Sequence, residues 1–120
     1  MKLLFTATAP IAAPLASVLP LIDGGWVLES MLTPESRAYV DVDHRPGVVG
    51  MQGHWWYRGE IAADPGPAGA ALTYRVFNIA QRSAWAVPLA NKLFIGYGKL
   101  VQQTAGKLAA AIEEKLRAAR

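Results

Sequence analysis

The sequence predicts an α+β domain, with strands spread through its first two thirds and one long amphipathic helix at the C-terminal end. Three observations predict it. Stretches of strand length with β-compatible or alternating residues occur at 3–8, 37–43, 48–62 and 71–80. The tail changes to a helical period: Leu89, Leu93, Tyr97, Leu100, Thr104, Leu108, Ile112 and Leu116 recur every three or four residues, widened by Phe94, Val101 and Ala105. The 120 residues, 52% hydrophobic and 18% charged, suffice for one core and one domain, residues 1–120.

The first element, Leu3 to Thr8, reads as a strand closed by Pro10. Its basic start, apolar run and Ala7-x-Ala9 spacing also fit a secretory leader, but Pro10 and Pro14 break the run and Lys2 alone supplies charge. The stretch is therefore read as part of the fold, and the protein as cytoplasmic. Leu15, Val18, Leu19 and Ile22 form an i, i+3, i+4, i+7 stripe. Pro14 suits the first turn of that helix, and Pro20 predicts a short or kinked end. Asp23-Gly24-Gly25 is a breaker, 26–32 is ambiguous, and Thr33-Pro34-Glu35-Ser36 reads as a turn. Residues 37–43 alternate about Val40 and Val42 and lead into a turn at His44-Arg45-Pro46-Gly47. Residues 48–62 read as one long strand in which Gly50, Gly53 and Gly59 predict bulges or sharp curvature. A loop over 64–69 joins it to 71–80, with Leu72, Tyr74 and Val76 on one face and Thr73, Arg75 and Phe77 on the other. The final helix, with Pro88 in its first turn, would extend about 45 Å. Gly96, Gly98 and Gly106 each weaken a helix by roughly 1 kcal/mol, which predicts close packing or room for a ligand beside them.

Composition and motifs narrow the chemistry. With no cysteine there are no disulfides, thiolate nucleophiles or Cys-ligated metals. A net charge of +3 is too mild to imply nucleic acid, and no apolar run has the length of a membrane span. Ser17, Ser30, Ser36 and Ser83 lie in no nucleophile elbow, and the glycines form no phosphate loop or dinucleotide fingerprint. Asp41-x-Asp43-His44 offers three ligands but no fourth, and turn-flanking polarity explains it better than a metal. Neither metal nor cofactor is expected.

The opening Thr6-Ala7-Thr8-Ala9-Pro10-Ile11-Ala12-Ala13-Pro14, the strand Ala70-Ala71-Leu72-Thr73-Tyr74-Arg75-Val76 after a glycine-containing turn, and the helix from Leu89 to Arg117 follow a recognisable order. It resembles that of the START-like, helix-grip superfamily, which includes polyketide cyclase/dehydrases, Bet v 1-like proteins and lipid-transfer proteins. The likeness covers nearly the whole chain but is one of pattern. The chain is shorter than most members, with about four strands rather than six or seven. The resemblance implies a curved antiparallel sheet wrapped around the long C-terminal helix, with a cavity that takes a hydrophobic ligand or, in some members, catalyses cyclisation or dehydration.

Within that expectation the most unusual stretch is Gly53-His54-Trp55-Trp56-Tyr57-Arg58-Gly59-Glu60. On one strand face stand Met51, Trp55 and Tyr57, with Tyr74 on the partner strand. With Leu93, Phe94 and Tyr97 of the helix these are the candidate pocket lining, although plain core packing would use the same residues. On the other face His54, Trp56, Arg58 and Glu60 could form an acid–base cluster, or a solvated surface on which Trp56 and Phe77 mark a homodimer contact. Lys92, Lys99, Lys107, Lys115, Arg117 and Arg120 read as the solvent edge of the last helix rather than a membrane or nucleic-acid surface. Three functions follow. The first is a carrier of a small hydrophobic molecule, lipid or polyketide-like, without nucleic-acid or integral-membrane association. The second is a cyclase- or dehydratase-like enzyme using tyrosine hydroxyls or Arg75, although the strand phase turns Arg75 outward. The third is a homodimeric module without ligand.

Overall fold

In the computed structural model, which describes residues 2–53, 56–80 and 97–119, five strands form one antiparallel sheet backed by helices. β1 (Lys2–Ile11) leads into α1 (Leu15–Asp23), α2 (Trp26–Met31) and α3 (Pro34–Arg37). β2 (Asp41–Arg45), β3 (Val48–Gly53), β4 (Tyr57–Gly66) and β5 (Gly69–Asn78) then run as a meander, and α4 (Tyr97–Ala118) follows. The order across the sheet is β1-β5-β4-β3-β2, so the first strand lies beside the last. The class is α+β, and no helix among the described residues is long and apolar enough to cross a membrane.

Strand alternation assigns the two faces. Ala7, Ala9 and Ile11 of β1, Val49 and Met51 of β3, Ile61 and Ala63 of β4, and Leu72, Tyr74 and Val76 of β5 all face the helices. There they meet Val18 and Ile22 of α1, Val27 and Leu28 of α2, and Val101, Ala105, Leu108, Ala109 and Ile112 of α4. α4 lies chiefly on β1. It is tied there by Gln102 Nε2, which donates to the Thr8 carbonyl (3.1 Å), and by Glu113 Oε1, which accepts from the Ala12 N–H (2.8 Å). At the end of the sheet where β2–β3 and β4–β5 turn, α1 is fastened by Asp23 Oδ1, which accepts from the Gly47 N–H (2.9 Å). The opposite end, where β1, β2, β4 and α4 begin, carries the candidate site described below.

Several elements differ from the sequence expectation for identifiable reasons. Pro20 sits inside α1, which runs on to Asp23. The ambiguous 26–32 becomes helical as α2 buries Val27 and Leu28 against the core. Thr33 caps α3, its Oγ1 accepting from the Ser36 N–H (3.1 Å), which takes residues 34–37 into a helical turn and delays β2 to Asp41. The single strand expected over 48–62 is a hairpin: β3 and β4 pair with Gly53 opposite Tyr57, and their register runs unbroken from there to Val48 opposite Ala62. The bulges expected at Gly50 and Gly59 are not there, and the register shift that does occur lies in β1, between Leu3 and Phe5. The loop at 64–69 tightens to Pro67-Ala68 between Gly66 and Gly69. Gly69 has φ +122° and approaches the Ala13 carbonyl so closely that a Cβ would overlap it. In α4, Gly98 does meet close packing, because a Cβ there would lie 3.3 Å from the Phe5 ring, whereas Gly106 faces open space. Leu100 is 54% exposed and lies outside the packed stripe.

Candidate functional site

Register places one residue from each strand in a row across the helix-facing side: Val42, Met51, Gly59, Val76 and Phe5. Gly59, at its centre, has no side chain to fill the row. Tyr57, two residues earlier on the same face, fills it instead: its ring folds back along β4 over Gly59, so that a Cβ there would strike the Tyr57 hydroxyl and lie 3.2 Å from Tyr74 Cε1. This brings the Tyr57 and Tyr74 hydroxyls to 2.5 Å, within a hydrogen bond that either can donate. The cross-strand partners of Tyr74 are Ile61 and Ala7, both apolar. Burial pushes the Tyr74 phenol above its usual range, and the bond to Tyr57 acts in the opposite sense. Tyr74 is therefore a neutral hydroxyl at physiological pH, able to donate or accept but not to serve as an anionic base. Trp56 meets the Tyr57 ring edge-to-face, with centroids 5.7 Å apart and planes at 84°.

Of the candidate pocket residues, the structure brings together Met51, Tyr57 and Tyr74 on the helix-facing side, Met51 and Tyr74 buried and Tyr57 half-buried. Trp55, Leu93 and Phe94 lie outside the described residues, as does the side chain of Tyr97, whose backbone opens α4. Asn78, which the sequence does not single out, is also buried at this end of the sheet, and its Oδ1 accepts from the Ala80 N–H (2.9 Å).

The other side of the sheet holds a second polar constellation. Arg58 and Glu60 share this side with Phe77 and Arg75, as their parity requires, yet Arg58 and Glu60 are both buried. The Arg58 Nη atoms donate to both oxygens of Asp43 (2.7 and 2.9 Å) and to Gln52 Oε1 (2.7 Å), and its Nε donates to Glu60 Oε2 (2.9 Å). Arg45 completes the group by donating to Glu60 Oε1 (3.0 Å). Gly50 makes the arrangement possible, since a Cβ on it would run into Arg58 Nη2 and lie 2.7 Å from Asp43 Oδ1. The expected solvated row is thus a clasp joining β2, β3 and β4, with Arg58 and Glu60 buried and Asp43 and Arg45 at its exposed rim. His54 lies outside the described residues, and Trp56 packs against the core rather than standing on this side. Asp43 is committed to Arg58, while His44 alternates to the other face of β2. No group of three or more potential metal ligands forms among the described residues. Sequence reasoning missed the clasp because Asp43 and Arg58 become neighbours only once 48–62 is folded into a hairpin. The shared parity of Arg58 and Glu60 was its one visible sign.

The chain matches no protein-family model, no curated protein and no solved structure. Its chemistry must be read from the two constellations themselves. The clasp is a closed set of ion pairs with its groups turned on one another. The tyrosine pair offers neutral hydroxyls in an apolar setting, which is equipment for holding an uncharged polar atom.

Proposed function

We propose that this chain is a helix-grip domain of the START-like kind, holding a small hydrophobic or amphipathic molecule, lipid or polyketide-like, between the sheet and α4. The observation that carries the reading is the Tyr57–Tyr74 hydroxyl pair, set on the helix-facing side among Met51, Val76 and Trp56. Apolar surface with a few convergent polar groups is the usual make-up of a small-molecule site. The strand order, with β1 beside β5 and α4 lying on β1, supports the same reading. The carrier reading is favoured over catalysis because Arg75, the cation available to stabilise an enolate, lies on the side of the sheet opposite the tyrosines. It is favoured over a ligand-free homodimer because Trp56 packs inward. The protein would act in the cytoplasm, without a cofactor.

Native mass spectrometry of the purified protein, followed by denaturing extraction, tests this. The expected result is a reproducible extra mass that is lost from a folded Val76→Phe variant, whose added ring fills the row beneath the tyrosines. A bare mass, with no thermal shift from fatty acids, sterols or aromatic polyketides, would overturn the carrier reading.

A further inference from the structure

We propose that Tyr57 is a stand-in for the ligand, and that the ligand is an uncharged apolar molecule bearing an oxygen acceptor, such as a ketone or ester, which takes the Tyr74 hydroxyl over from Tyr57. This rests on the carrier reading and names the chemistry of its site. Three observations carry it. First, the Tyr57 ring occupies the gap in the row Val42, Met51, Gly59, Val76 and Phe5 where the strand itself contributes no side chain. The space is thus filled by a side chain that arrives from two residues away rather than by one rooted beneath it. Second, Tyr57 is half-buried and begins its strand, whereas Tyr74 is 7% exposed and sits within β5. Of the two, Tyr57 is the more exposed and the nearer to a strand end.

Third, the two hydroxyls are each other's partners at 2.5 Å. A buried hydroxyl that loses its partner bears the full desolvation penalty, so whatever displaces Tyr57 must supply a hydrogen-bonding atom at the same place. A hydrocarbon supplies none. A carboxylate supplies one, but its charge would have to be buried among Ile61, Ala7 and Val76, which is far more costly than burying a carbonyl. A carbonyl oxygen accepts only, so Tyr74 would be the donor in the complex.

The test uses three ten-carbon phenyl probes, butyrophenone, butylbenzene and 4-phenylbutanoate, titrated into the full chain by calorimetry. Butyrophenone is expected to bind about three- to tenfold tighter than butylbenzene, the span of one ordinary hydrogen bond, and tighter still than 4-phenylbutanoate. Tyr74→Phe, which keeps the ring and removes the donor, should erase the preference for the ketone. Tyr57→Phe removes the competing internal bond while leaving Tyr74 its donor, and should bind butyrophenone several-fold tighter than the parent. Far-UV circular dichroism confirms that each variant is folded. Equal affinity for all three probes, or an unchanged ketone preference in Tyr74→Phe, would overturn this inference and leave the carrier reading standing. Failure of all three probes to bind, together with a bare native mass, would overturn both.

Discussion

Gly50 carries no side chain because the Arg58 guanidinium and the Asp43 carboxylate meet above it, and Gly59 carries none because Tyr57 lies across it on the opposite face. Both were visible in the sequence as glycines within a strand, and both were read there as bulges or sharp curvature. The backbone needs no unusual conformation at either. What it needs is the missing volume, and a side chain arriving from elsewhere is what uses it. The Arg58 hydrogen bonds hold the Asp43 carboxyl below its usual range, with the charge of Arg58 adding to them and partial desolvation opposing them. A carboxyl that titrates lower when folded than when unfolded favours the folded state above its unfolded pKa, near 4, and that contribution fades as the pH falls through the folded value. Urea melts should therefore show Asp43→Asn less stable than the parent at pH 7, with the gap closing below about pH 4. A gap that is constant with pH would mean that Asp43 contributes by shape rather than charge. The polar half of this clasp was legible as Arg58 and Glu60 on one strand face. Its other half was not, because Asp43 lies fifteen residues away and only the hairpin brings it back.

At the scale of the element, α4 shows how period and phase carry different amounts of information. Of the amphipathic helix that the three-to-four-residue recurrence marks from Leu89 to Arg117, residues 97–117 are helical and 89–96 lie outside the described residues. The stripe that packs is rotated from the one drawn through the largest side chains. Val101, Ala105, Leu108, Ala109 and Ile112 face the sheet, while Leu100 points to solvent. Ala105 and Ala109 take two of these places where α4 packs on β1, whose Ala7 and Ala9 face it. A sequence alone ranks leucine above alanine as a core residue, but it cannot say how near the partner surface will come. Ile112→Ala should cost about 2–4 kcal/mol in chemical denaturation, as for a fully buried aliphatic residue. Leu100→Ala should change stability by no more than about 0.5 kcal/mol. Equal losses at the two positions would contradict this orientation of the helix.

For the whole molecule, the order β1-β5-β4-β3-β2 puts the strand made first beside the strand made last, with α4 packed upon it. The sequence carried the strands and the tail helix, but not this neighbour relation, which depends on contacts some seventy residues apart. Stability should therefore be unequal across the sheet. β5 is paired on both sides and lies under the core, whereas β2 pairs with β3 and its residues are exposed or half-exposed. Hydrogen exchange should find the β3-bonded amides of β2 opening well before those of Leu72 to Val76. Uniform protection would imply that the clasp makes β2 as firm as the centre. The two margins of the sheet differ in kind as well as in strength. Along β1 the helix lies close, and Gln102 holds the Thr8 carbonyl. β2 is a short strand in which Asp41, Asp43 and Arg45 carry charge. Fibres grow by strand addition only when each newcomer offers a second open margin to the next. Two copies of this chain joined β2 to β2 would present at both outer sides a β1 margin with α4 beside it, an edge unlike the one that joined them.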